Sequence, residues 1–132
     1  MTWVTHMSGR IWIATFFAAV ALTSCSDEQE QQEKTLRGIL SWTASAEFII
    51  DERLRGTVPK AFSQLAIERC REEVALLKED LVGSSLEQVG ELQSHLDHAT
   101  EAANKDNRSA ARPALLALRE ARSQISAGMS KP

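Results

Sequence analysis

Tyrosine is absent from this 132-residue chain, and beyond residue 24 the only Trp and Phe rings are Trp42, Phe48 and Phe62. A surface that stacks nucleobases or a sugar needs more aromatic faces than that. Positive charge is also scarce: 15 Lys and Arg stand against 18 Asp and Glu, a net charge of −3. Phosphate-backbone binding rests on a broad basic footprint, so nucleic acid is not an expected partner. No segment alternates Val, Ile, Thr or aromatic residues between Asn-Gly or Asp-Gly turns, which removes the signature of strands and hairpins. GxSxG, P-loop, HExxH and CxxCH motifs are all missing, and with them the commonest sequence marks of hydrolase, nucleotide, zinc and haem chemistry. An enzyme therefore has no residues to recommend it.

Long apolar runs are lacking as well. The longest, residues 11–22, reads IWIATFFAAVAL, whereas a membrane-spanning helix needs about 20 apolar residues. Arg10 precedes this run, and Ser24, Ser26, Asp27 and Glu28 close it. A basic residue followed by a short apolar stretch is the pattern of an export signal. Met7 offers an alternative initiator, which would give the signal a shorter basic start.

The run ends in Leu22-Thr23-Ser24-Cys25. This ending resembles the lipobox of bacterial lipoproteins, an aliphatic residue and two small residues before a cysteine. The resemblance covers residues 10–25 and says nothing of the rest. It implies that Leu22, Thr23 and Ser24 form the signal-peptidase recognition site and that the Cys25 thiol receives a diacylglyceryl group. Cleavage before Cys25 then leaves a lipid-bearing N-terminus, whose amino group is often acylated in turn. The membrane, reached through that lipid, is the first expected partner. Ser26 in place of Asp after the cysteine favours the outer over the inner membrane by analogy, with the body facing the periplasm.

Removal of residues 1–24 takes away Arg10 alone among the charged residues, leaving 14 basic and 18 acidic side chains and a charge of −4. Cys70 then has no second thiol to pair with, and reads most simply as a small buried apolar residue. Residues 26–33, SDEQEQQE, are polar and acidic and read as a tether or a frayed first turn.

From about residue 31 apolar residues recur with the 3.6-residue period of helices. Leu36, Leu40, Thr43, Ala46, Ile50 and Leu54 form a first stripe ending at Gly56, a candidate left-handed C-terminal residue. Thr57 and Pro59 suit the start of a second helix, with Phe62, Ala66, Cys70, Val74, Leu77 and Leu81 expected inside and Leu65 and Leu76 beside them. Gly83 should end it, and Ser84-Ser85-Leu86-Glu87 has the form of a capping box. Leu86, Val89, Leu92, Leu96, Ala99 and Ala103 mark a third helix. The polar NKDNR break at 104–108 separates it from a fourth, capped by Asn107 or Ser109, with Leu115, Leu118, Arg122, Ile125 and Met129 on one face. Short links between amphipathic helices predict an all-α fold, a small up-down-up-down four-helix bundle. The competing arrangement is three helices with a mobile C-terminal fourth. The expected divisions are a signal at 1–24, lipidated cysteine and tether at 25–33, the bundle at 34–127 and a frayed end at 128–132.

Two side-chain groupings stand as site candidates. His95 and His98, with Glu91 one turn before His95, have a helical spacing at which a divalent metal can be held. The same wheel sends His98 toward water, so a solvated face is the simpler reading and no cofactor is expected. Arg53, Arg55, Lys60, Lys105, Arg108 and Arg112 would gather, against Asp51, Glu52, Glu101 and Asp106, at the end of an up-down bundle away from residue 33, a mildly basic tip suited to an envelope protein or an anionic envelope component. The function so expected is a non-catalytic, lipid-anchored helical module of the cell envelope, partner-binding or structural. The alternative is a periplasmic binder of a metal or small ligand, using His95 and Glu91 or a pocket between helices.

Overall fold

The computed structural model describes the backbone of residues 7–131 and the side chains of residues 27–131. Four α-helices follow one another: α1 (Met7–Arg55), α2 (Lys60–Lys78), α3 (Gly83–Asn104) and α4 (Arg108–Met129). No strand occurs among the described residues. The chain divides into two compact units, Met1–Gln32 and Glu33–Pro132, and the packing described below is that of the second. Residues 26–33, expected as a tether or a frayed turn, carry helical backbone within α1. Glu and Gln are good helix formers, and Glu33 pairs with Arg37 one turn on at 2.6 Å.

Polar contacts between helices fix their directions. Arg71 Nε donates to Asp97 at 2.9 Å and Lys78 Nζ to Gln93 at 3.0 Å. As the α2 number rises the α3 number falls, so the two helices are antiparallel. Arg122 Nε donates to Glu47 at 2.8 Å, and Arg119 approaches Asp51 at 4.0 Å, which gives α1 and α4 the same relation. This is the all-α helical arrangement that the periodicity calls for.

All four helices feed one core. Ile39 and Ile50 of α1, Ile67 and Val74 of α2, Val89, Leu92 and Leu96 of α3, and Leu118 of α4 are wholly inaccessible. Because α4 also buries Ala111, Leu115 and Ile125, it is a full member of the core and not a mobile appendage. Two buried hydroxyls are satisfied locally: Thr43 donates to the Ile39 carbonyl at 2.8 Å, and Thr100 to Leu96 at 2.7 Å. Gly38 lets α2 come close, since a Cβ there would lie 3.2 Å from Leu77 Cδ1.

One expected face is corrected. On α2 the buried residues are Ser63, Ile67, Cys70 and Val74, whereas Phe62 is 57% exposed. Leu77 is half-buried and Leu65 and Leu76 face water. Steps of four residues each advance the wheel by about 40°, so a stripe drawn from Phe62 to Val74 drifts by about 120°. Alternating steps of four and three stay on one side, and that is the face the core selects. Ser63 tolerates burial because its hydroxyl donates to the Lys60 carbonyl at 2.9 Å. Leu86 on α3 is likewise more exposed than its place in the stripe suggests.

The turns divide between expected and unexpected chemistry. Gly56 takes φ +77°, and Gly56 N–H and Thr57 N–H reach back to the Arg53 and Glu52 carbonyls at 3.1 and 3.0 Å. That is a Schellman closure of α1. Thr57 serves the same closure instead of capping α2: its hydroxyl donates to the Glu52 carbonyl at 2.9 Å. Asp106 N–H and Asn107 N–H repeat the pattern on the Ala103 and Ala102 carbonyls at the end of α3, with Asp106 itself at φ +53°. Asn107 caps α4 by accepting from Ala110 N–H. The capping box at 84–87 is not used; α3 begins at Gly83 behind Val82, which gives no side-chain cap. In the link before it Leu81 is buried, and Gly83 takes φ +63°.

Candidate functional site

The end of the bundle holding the α1–α2 and α3–α4 links carries a group of ion pairs. Arg53 approaches from α1 and Lys60 from the first residue of α2, and both meet Asp106 between α3 and α4, at 2.6 and 3.3 Å. The left-handed backbone at Asp106 turns its carboxylate toward the opposite link. Hydrogen bonding and attraction from Lys60, with Arg53 beside it, hold that carboxyl below its usual range. Arg55 is engaged by Asp51 at 2.9 Å and Glu52 at 3.6 Å, and Lys105 by Glu101 at 2.6 Å. Of the six basic residues expected at this tip, Arg108 and Arg112 make no ion pair among the described residues. The tip is thus a network of compensated charges joining two turns.

A group whose pKa is lowered on folding contributes stability above its ordinary value, here 3.8, and loses it as pH falls through the lowered one. Asp106→Gly keeps the left-handed turn and takes the carboxylate away from both Arg53 and Lys60. The difference in melting temperature between wild type and Asp106→Gly is expected to shrink steadily on acidification below about pH 4. Thermal unfolding across that range reads it; a constant offset would contradict the role given to this carboxylate.

His95 Nε2 lies 3.9 Å from Glu91 Oε1, a loose one-turn pair, and His98 is exposed on α3. No group of three His, Cys, Asp or Glu side chains able to hold a metal occurs among the described residues. Open grooves run between helices among the described residues, three of them as follows. One of ≈ 430 Å³ is lined by Ala75, Lys78, Leu81, Leu86 and Gln93. Another, ≈ 310 Å³, lies beside Arg71 and Asp97, and a third, ≈ 320 Å³, beside Arg37 and Met129. None of these three is lined by His95 or Glu91.

Sequence reasoning missed Glu47. Its residue is 4% exposed, Oε2 accepts from Arg122, and Oε1 is buried with no hydrogen-bond partner. Burial pushes its pKa above 4.5 against the opposing pull of Arg122 and Arg119. The available signal was Arg122, a cation placed on the apolar face of α4 and therefore in need of an anion across the interface.

Cys70 is 3% exposed, and burial pushes its thiol pKa up; thiolate chemistry at neutral pH is correspondingly suppressed. Leu22, Thr23, Ser24 and Cys25 fall on α1, with side chains outside the described residues. Among the described residues no helix is long and apolar enough to cross a membrane. The chain matches no protein-family model, no curated protein and no solved structure.

Proposed function

We propose that this chain is an exported lipoprotein, fastened to a bilayer through acyl groups on Cys25, whose helical body acts in the cell envelope by contact and not by catalysis. The observation that carries the reading is the order Arg10, apolar 11–22, Leu22-Thr23-Ser24-Cys25. Each buried methylene adds about 0.8 kcal/mol of membrane affinity, and two or more chains give a durable anchor. The outer membrane is the favoured address.

The body supports the non-catalytic half of the reading. Many of its acids are engaged in ion pairs along and between helices, its buried thiol is shielded, and its grooves are open. Contact surfaces are plentiful by comparison, with Phe48, Phe62, Leu65, Leu76 and Leu116 all more than half exposed. Monomers rarely leave such apolar area unused when it is contiguous.

Cys25→Ser tests the anchor. Wild type expressed in a bacterium is expected to pellet with membranes and to take up a labelled palmitate analogue. The variant is expected to lose the label and to keep residues 1–24. Equal labelling of both proteins, or release of unlabelled wild type into the soluble fraction, would sink the proposal.

A further inference from the structure

Helix α2 has an inner face and an outer one that is apolar toward its ends. The inner one, Ser63, Ile67, Cys70 and Val74, is spent on the core. The outer one comprises Phe62, Leu65, Arg69, Glu72 and Leu76, spaced by three and four residues in alternation. That spacing is the a/d seam of a coiled coil. Leu65 is 76% and Leu76 58% exposed, while Arg69 and Glu72 are more than half exposed between them. The stripe is thus solvent-facing along the helix and apolar toward both ends.

We infer that this outer face of α2 binds a second copy of the chain, with the two α2 helices antiparallel. The charges decide both partner and direction. Read from either end, the stripe runs leucine, charge, charge, leucine, with opposite signs in the middle. In the antiparallel register Leu65 meets Leu76 of the second copy, and Arg69 meets its Glu72. The two-fold axis repeats both contacts, since an isologous interface uses the same patch twice. A parallel copy would set Arg69 against Arg69 and Glu72 against Glu72, a like-charge juxtaposition that costs affinity. Within one chain Arg69 already leans on Glu73 at 2.5 Å and only loosely on Glu72 at 3.7 Å. Glu72 is therefore left available to a guanidinium from across the seam. Phe62 falls at each outer end, over the last turn of the partner's α2. A seam of this length makes a weak, reversible dimer, and fixing the chains to one surface would raise their effective concentration.

The test uses the full chain in detergent micelles, with association measured by energy transfer between two dye-labelled populations. Wild type is expected to associate with rising protein concentration. Arg69→Glu and Glu72→Arg alone are each expected to weaken association about tenfold. The double reversal Arg69→Glu/Glu72→Arg restores opposite charges across the seam and is expected to return close to wild type. A mixture of Leu65→Cys and Leu76→Cys chains should, on mild oxidation, yield a peptide linking positions 65 and 76 by mass spectrometry. Circular dichroism confirms that each variant is folded. Wild type that does not associate, or a double reversal no better than the single ones, overturns the inference. Crosslinking confined to 65–65 and 76–76 pairs would overturn the antiparallel register with it.

Discussion

Arg122→Ala is expected to destabilise the helical body by about 3 kcal/mol near neutral pH, the low end for stranding a buried ion-pair member, because the arginine is itself 34% exposed. Glu47 is the stranded member. One of its oxygens is already buried without a partner, and the other depends on the Arg122 guanidinium. Because burial raises the Glu47 pKa above 4.5, the folded state holds its proton more tightly than the unfolded chain does. The neutral carboxyl is therefore tolerated in acid, and stability is lost as pH climbs from 4.5 through the raised folded value. Without Arg122 the main opposing attraction is gone, so the pKa rises further and the loss deepens. Urea unfolding of wild type and Arg122→Ala at about pH 4 and about pH 7 reads the effect. The deficit should be small in acid and largest at neutral pH. Equal deficits at both would mean that packing of the arginine stem, and not the charge, is what the substitution removes. A Glu47→Leu/Arg122→Met double variant should recover most of the loss, since apolar residues of similar volume often replace a buried pair without cost.

The second large effect separates two readings of α2. Ile67→Ala is expected to cost about 2–5 kcal/mol, the range for truncating a fully buried aliphatic side chain. Phe62→Ala removes a larger side chain and is expected to cost under about 1 kcal/mol, because surface changes stay near zero. Ile67 is wholly inaccessible and Phe62 is mostly in water. Equilibrium unfolding of the two variants decides between the faces. A larger loss at Phe62 than at Ile67 would restore the stripe drawn from periodicity alone.

Those two residues also show how far the sequence could be read. The all-α class and the four elements were legible because Leu36, Leu92, Leu96, Leu115 and Leu118 lie on stripes with no competitor. Gly56 was legible as a left-handed closure, because glycine does there what other residues do at a cost. Helix α2 was ambiguous for a physical reason: it is apolar on two sides, and periodicity cannot say which side meets the core. Asp106 was expected among the carboxylates of the tip, but its left-handed backbone was not legible, because nothing local marks an aspartate for it. The reason is remote, in Arg53 and Lys60 arriving from the opposite link. Glu47 escaped for a similar reason, since its partner lies 75 residues away.

The basic tip shows the converse. The carboxylates expected beside the cations do not merely dilute the charge there; each of four cations is paired with at least one of them. Once Arg53 and Lys60 are on Asp106, and Arg55 and Lys105 on their own helices, Arg108 and Arg112 are the cations of the tip left without an ion pair among the described residues. The outer face of α2, where like meets like only in the parallel direction, is the better-founded contact surface.

Mass spectrometry of the N-terminal peptide from the envelope fraction bears most directly on the whole. The account expects a chain that starts at Cys25, with a diacylglyceryl thioether on the sulfur and mass for a further acyl group on the amine. A native chain recovered from the soluble fraction with residues 1–24 attached and a bare Cys25 thiol would contradict it.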